Sequence, residues 1–409
     1  MKQKLTILLI LYAGMFLSCK NAIEFENKVY MAGTEDSDTR QMVVDGVPSE
    51  IAFMATLADL VDETIEVEVK ADDALIEAYN RKYHKNYKPM PTGSFYLSAT
   101  TLVIKPQTLR SNAAKVIIMD DSGFEEGVNY LIPVTITKVT GSVPVLEASK
   151  TIYFTILKTI VTQACNLRNA FHFYVNFAKN DDESLKSLSG ATMETRFYCT
   201  ATQTANPWIT SIMGLEENWL LRLGNARNIP DNAIQSCGTG SNITGPEVPY
   251  REWHHVAAVF ENNTMTLYLD GTPVGAIPHP GSNTGAGGIN LTQVYGDRSF
   301  CIGISANNTV RRWNGYLSET RVWKKALTRA EIVNNMCYVD PTTPGLVAYW
   351  RFNGSSTKET INSVQYDVVL DHTGNGYNAV PYTTTTGTVP YSLFSAASAT
   401  QNWVEVKCP

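Results

Sequence analysis

The chain has 409 residues, enough for two ordinary domains that each bury a core. Its 33 basic and 39 acidic residues leave a formal charge of -6. No Lys/Arg cluster accompanies them, which excludes nucleic acid as a partner.

The N-terminus reads as an export signal over residues 1–18. Lys2 and Lys4 supply the positive start, and Leu5 to Leu17 form an uncharged apolar run too short to span a bilayer. Leu17-Ser18-Cys19 then has the form of a bacterial lipoprotein cleavage site, which makes Cys19 the expected lipid-bearing N-terminus of the mature protein. No later segment offers 18 consecutive apolar residues, so the expectation is a protein anchored to a membrane without crossing it. Residues 19–35, polar and unpatterned, are expected to form a tether.

From residue 36 the period-two signal of strands dominates. Ile65, Val67 and Val69 alternate with Glu66, Glu68 and Lys70, and the same alternation runs through Tyr130, Ile132, Val134 and Ile136 and through Ile152, Phe154 and Ile156. One short helix is predicted over Asp73 to Lys82. Short strands separated by Gly, Pro and Asn/Asp breaks over residues 36–160 predict an immunoglobulin-like β-sandwich.

Residues 161–409 form the second predicted domain. In Trp253 to Phe260, then Met265, Leu267 and Leu269, strands are separated by Glu261-Asn262-Asn263 and by Asp270-Gly271, the turn chemistry of a meander. Thr328-Arg329-Ala330-Glu331 fits a capping box at a helix start. Of seven cysteines, six remain once Cys19 is lipidated: Cys165, Cys199, Cys237, Cys301, Cys337 and Cys408. An even remainder in an exported chain predicts a disulfide-bearing domain, with 15 pairings open. Zinc is set aside, because no C-x-x-C pair exists.

Several of these stretches carry a resemblance. Trp253-His254-His255-Val256, Leu267 to Gly271, Asn314 to Trp323, and Ala326 through Ile332 resemble the concanavalin A-like, laminin G-type jelly roll over most of residues 165 to 335. Gly345 to Phe352 and Asp371 to Gly376 are read as the closing part of that domain. The first domain, through Tyr79-Asn80, Tyr87, Pro89, Pro91, Tyr96-Leu97 and Tyr130 to Val134, is similar to an N-terminal module of unknown function on envelope lipoproteins of glycan-harvesting gut anaerobes. The resemblance implies an all-β, two-domain lipoprotein of a polysaccharide-utilisation system. It would be anchored to the outer membrane and exposed at the cell surface, with an oligosaccharide or polysaccharide as ligand and other envelope proteins as partners.

Fold alone does not separate holding a sugar from cutting it. Retaining hydrolysis needs two carboxylates about 5 to 5.5 Å apart, which a strand provides at i and i+2 or i+4. The jelly-roll segment has no Glu-x-Asp-x-Glu run, and Glu216-Glu217 and Glu66 with Glu68 read as solvated charges. His254 and His255 leave a strand on opposite faces and do not share a metal. A sugar surface needs aromatic rings beside amide, carboxylate or guanidinium groups on loops. Trp208, Trp219 with Arg222, Tyr295 with Arg298, and Trp313 with Asn314 fit that description, whereas Trp253, Trp323 and Trp350 sit within strand patterns and are assigned to structure. Calcium at Asp371 with Asn375 is weighed against a simple turn; the turn is preferred and no cofactor is assigned. The reading is a carbohydrate-binding envelope lipoprotein, with a glycoside hydrolase and a protein-binding adhesion module as rivals.

Overall fold

The structure, a computed structural model, describes residues 26–83, 85–225, 229–279, 287–293, 299–306, 308–383, 390–395 and 402–408. Cys19 and the export signal lie outside the described residues. The chain divides into two compact units, Met1–Thr159 and Ile160–Pro409. No described helix is long and apolar enough to cross a membrane.

In the first unit the strand Tyr130–Thr140 pairs with Thr151–Lys158 on one side and Ile65–Ala71 on the other. Ile65, Val67 and Val69 are buried while Glu66, Glu68 and Lys70 are exposed, as a pleated strand with one wet face requires. A three-stranded sheet of Ser49–Phe53, Ala114–Ile118 and Phe95–Leu97 forms the second layer. Phe53, Val67, Val116, Ile132 and Phe154 fill the space between, giving an immunoglobulin-like sandwich. The predicted helix is a 3-10 turn, Asp73–Leu75, capped by Asp72 and continued by the α-helix Ile76–Tyr83. Tyr79 docks that helix, with its ring 4.5 Å from Tyr83, 6.0 Å from Tyr87 and 4.6 Å from Tyr153. The tether expectation needs correction at its end. Val29–Met31 is a strand paired with Ala55–Leu57, and fully buried Val29 and Met31 flank Tyr30, so the sandwich begins before residue 36.

The second unit is a two-sheet sandwich. One sheet runs Thr272–Pro278, Thr264–Leu269, Trp253–Glu261, Gly190–Cys199, Gly315–Trp323, Ile160–Asn166 and Trp403–Cys408, with Leu346–Trp350 also paired to Gly315–Trp323. The other runs Ser241–Glu247, Ala233–Gly238, Trp219–Leu223, Thr210–Leu215, Phe300–Ile302, His172–Val175 and Val380–Tyr382. Their facing side chains, among them Phe173, Phe197, Trp219, Phe300 and Trp350, form one core. The meander turns are as read: Asn262 and Asn263 have φ of 47° and 60°, and Asp270 and Gly271 of 49° and 72°. The capping box is present as well, with the Glu331 N–H donating to Thr328 Oγ1 (3.3 Å) and the Thr328 N–H to Glu331 Oε2 (2.8 Å). Its helix, Arg329–Asn335, lays Ile332 on Ala257, Val259, Trp323 and Tyr349, covering part of the sheet's outward face.

Under that cover lies a buried charge network. Arg321 donates from Nη1 to Glu194 Oε1 (3.2 Å) and to the Asn335 carbonyl (2.7 Å), and from Nη2 to Glu319 Oε2 (3.0 Å). Trp323 Nε1 donates to Glu194 (2.9 Å), Arg351 Nε to Glu319 (3.3 Å), and the Tyr349 hydroxyl also bonds Glu319. Arg321 and both carboxylates have no exposed surface. Burial pushes the Glu194 carboxyl up, but the bond to His255 and the charge of Arg321 outweigh it and hold the group below its usual range.

The second unit bears a disulfide, as its cysteine count predicts. One disulfide forms, Cys337–Cys408, with the Cα atoms 5.7 Å apart. Cys165, Cys199, Cys237 and Cys301 are buried thiols. Cys165 and Cys199 sit on strands separated by Gly315–Trp323, and Cys237 and Cys301 on strands separated by two others. At about 4.8 Å per strand, both pairs exceed the roughly 7 Å that a disulfide bridges. Burial pushes the Cys199 and Cys237 thiols up to about 12, which keeps them protonated and inert.

Two expectations follow for stability. Unreduced, denatured protein beginning after Cys19 titrates four thiols, and Cys337→Ser with Cys408→Ser lowers stability by up to ~4 kcal/mol in urea unfolding; a wild-type curve indifferent to reductant contradicts this. Arg321→Met takes the shared guanidinium from two buried carboxylates, Glu194 and Glu319, and costs about 3–5 kcal/mol. Because the folded Glu194 pKa lies below the unfolded value near 4.5, its contribution is complete above that pH and disappears as pH falls through the folded pKa, which unfolding curves between about pH 6 and 3 will register.

Candidate functional site

The residues chosen from sequence do not gather into one surface. Trp219 and Trp313 are fully buried core residues, the latter edge-on to Phe197 at 5.7 Å, and neither can offer a face to a sugar. Every residue of Trp219–Leu223 is buried, so the strand is covered on both faces. Arg222 is 8% exposed and committed to structure: its Nε donates to Gln235 Oε1 (3.0 Å), and Gln235 Nε2 donates onward to Thr244 (2.8 Å). Trp208 and Asn314 are half-buried. The Trp208 N–H closes a turn onto the Ala205 carbonyl (2.7 Å), and the Asn314 carbonyl accepts from the Thr200 N–H (2.9 Å). Tyr295 and Arg298 lie outside the described residues.

The acids are accounted for structurally. Glu194 and Glu319 meet through one guanidinium, with no exposed surface and Arg321 filling the space a substrate would need. Glu216 is not the solvated charge expected; it is nearly buried and pairs with Arg311 at 2.9 Å. His254 and His255 do diverge, His254 to Asp270 (2.8 Å) and His255 to Glu194 (3.2 Å). Asp371 accepts from the N–H groups of Tyr349, Thr373 and Tyr377, each at 3.0 Å. Its oxygens are thereby spent on closing the turn. Among the described residues no group of three or more His, Cys, Asp or Glu side chains is placed to hold a metal.

An open cleft of about 430 Å³ lies at the edge of the seven-stranded sheet. In His172–Val175 the alternation sends Phe173 and Val175 into the core and Tyr174 outward. The edge strand Val380–Tyr382, whose Tyr382 opposes His172, brings the Tyr382 ring to 5.5 Å from Tyr174. Asn176, Asn378 and Ser299 add amide and hydroxyl groups, and Tyr377 lines the floor at 4% exposure. The hairpin Ser356–Ile361 with Val364–Val369 contributes Glu359, which ion-pairs with Lys179 across the rim. Glu359 is the one carboxylate among the described lining residues, and it is already neutralised.

Tyr174 is itself buried, so half-buried Tyr382 is the ring that offers a face to the C–H surface of a polyhydroxylated ring, with amides and hydroxyls for its oxygens. None of its residues was singled out from sequence. Tyr174 and Tyr382 are far apart along the chain and meet only through strand pairing; the signal available was the outward Tyr in His172-Phe173-Tyr174-Val175.

Residues 173–333 match the family model of the concanavalin A-like lectin/glucanases superfamily, and residues 25–143 match one described as an N-terminal domain. Among solved structures, the chain is similar to a proposed carbohydrate-binding protein from Bacteroides ovatus (24% identity, TM-score 0.56), covering 89% of this chain and 99% of that one. It is also similar to a two-domain protein of unknown function from Bacteroides fragilis (10% identity, TM-score 0.30, 72% and 87% covered). A third is domain 4 of an extracellular arabinanase from Geobacillus stearothermophilus in complex with arabinotriose (15% identity, TM-score 0.28, 43% and 98% covered). No curated protein matches the sequence. With its two stacked sheets and the family match on its strands, the second unit of this two-domain protein is a concanavalin A-like domain of the laminin G type.

Proposed function

We propose that the protein is a cell-envelope lipoprotein that binds an oligosaccharide or a stretch of polysaccharide through its second unit, without cleaving it. The observation that carries this reading is the open cleft lined by Tyr174, Tyr382 and amide groups, in which the single carboxylate is paired with Lys179. Hydrolysis of a glycosidic bond needs two carboxyl groups flanking the sugar, whereas binding needs only stacking surfaces and hydrogen-bonding groups. The Bacteroides ovatus protein named above supports a saccharide as ligand, since it shares the fold over nearly its whole length. Anchoring through Cys19, exposure at the outer surface and service to a polysaccharide-utilisation system rest on the lipoprotein motif Leu17-Ser18-Cys19 and on the resemblance of the first domain. In that role the protein would raise the local glycan concentration for separate enzymes and importers.

A glycan array with the purified ectodomain tests the ligand class, and silence across plant, host and microbial glycans rejects it. For a glycan that binds, Tyr382→Ala is expected to weaken affinity about tenfold by removing one stacking face, read by titration calorimetry. Reducing sugar released from that glycan would favour the hydrolase instead. Cys19→Ala is expected to move the protein from the membrane to the soluble fraction, and protease shaving of intact cells reports which side of the membrane it faces.

A further inference from the structure

A second aromatic surface lies on the other sheet. Trp253, which its strand pattern assigns to the interior, is half-buried at the surface. It opposes Tyr198 across the sheet, and Tyr198 opposes Tyr316 on its other side. The ring centroids of Tyr198 are 5.6 Å from Trp253 and 5.2 Å from Tyr316. Phe197 and Cys199, its sequence neighbours, point into the core, so this row stands on the outward face. The Trp253 and Tyr316 centroids are themselves 6.4 Å apart, so the rings of this row bunch together over three adjacent strands. Asn166, opposite Tyr316, extends it with an amide, and all four residues are partly exposed.

Beneath the row lies a guanidinium with one nitrogen left unpaired among the described residues. Arg196 is 6% exposed, with its guanidinium carbon 5.0 Å from the centre of the Trp253 indole. Its Nη1 has no hydrogen-bond acceptor among the described residues. Glu319 and Asp270 act on its charge, though each carboxylate is hydrogen-bonded to other side chains, Glu319 to Arg321 and Arg351 and Asp270 to His254. A buried N–H without an acceptor is costly, and the field of a buried guanidinium is weakly screened where water is excluded.

We infer that the Tyr316–Tyr198–Trp253 row is a second saccharide platform, separate from the Tyr174–Tyr382 cleft, and that it takes a glycan bearing uronic acid. Pyranose faces stack on the rings, and the uronate carboxylate supplies a further acceptor for the Arg196 guanidinium. The inference rests on the carbohydrate-binding reading but names another face and a narrower ligand. With sites on both sheets, one long polymer or two chains engage the domain, and the second contact gains effective concentration from the first.

The test is calorimetric titration of the ectodomain with polygalacturonate and alginate fragments, with methyl-esterified polygalacturonate as the uncharged control. At least one acidic glycan is expected to bind, more weakly when esterified and more weakly as salt rises. Trp253→Ala is expected to reduce that affinity tenfold or more and Tyr316→Ala several-fold, with melting temperatures near wild type, while Tyr382→Ala leaves it unchanged. Both row positions are partly exposed, so either variant keeps the test informative if the other folds poorly. Acidic-glycan binding that survives both row substitutions, or that is lost with Tyr382→Ala alone, overturns the platform. So does neutral-glycan binding through the cleft with none for either uronate polymer, an outcome that leaves the proposed function standing. Absence of binding to every glycan overturns both.

Discussion

Arg321 is the point on which the second unit turns. A guanidinium with no exposure ties Glu194 of one strand to Glu319 of its own and to the Asn335 carbonyl at the end of the covering helix, while Glu319 reaches Arg351 just past the next strand. Each group alone would be untenable so far from water; together they satisfy one another in a single geometry. The register of Gly190–Cys199 against Gly315–Trp323, with its irregularity between Glu194 and Arg196, is the one that brings these partners into line. That alignment also sets the aromatic row farther along the same strands.

The network bears on chemistry too. The acids that could have served hydrolysis in the eight-stranded sheet are consumed as ligands of a buried cation, and the cleft on the opposite sheet holds a lone carboxylate with a lysine against it. Glu194 and Glu319 thus serve the domain as internal ties.

Local chemistry was legible in the sequence wherever the cause was local. Alternation placed Ile65, Val67 and Val69, asparagines and Asp-Gly placed the meander turns, and Thr328 with Glu331 announced a helix start. What failed depended on partners distant along the chain. Trp219 and Trp313 stood near turn signals as exposed ligand residues do, yet both are covered from all sides. Trp253 looked interior because its strand is apolar, yet it begins that strand at the sheet's edge of exposure. Tyr174 and Tyr382 become neighbours only through the pairing of His172 with Tyr382, which no short window contains. The cysteines announced a disulfide-bearing domain by their even number, but which two pair follows from strand order, which counting does not reveal and which keeps the other four apart.

The single bridge from Cys337 to Cys408 closes a covalent ring through the last part of the chain. Glu359, Tyr377, Asn378 and Tyr382 all fall inside that ring, so most of one wall of the cleft is threaded on it. In a reducing cytoplasm the ring stays open, and the wall is held by non-covalent packing alone. In an oxidising compartment the bridge fastens that stretch of chain, and with it most of one wall of the cleft, in place.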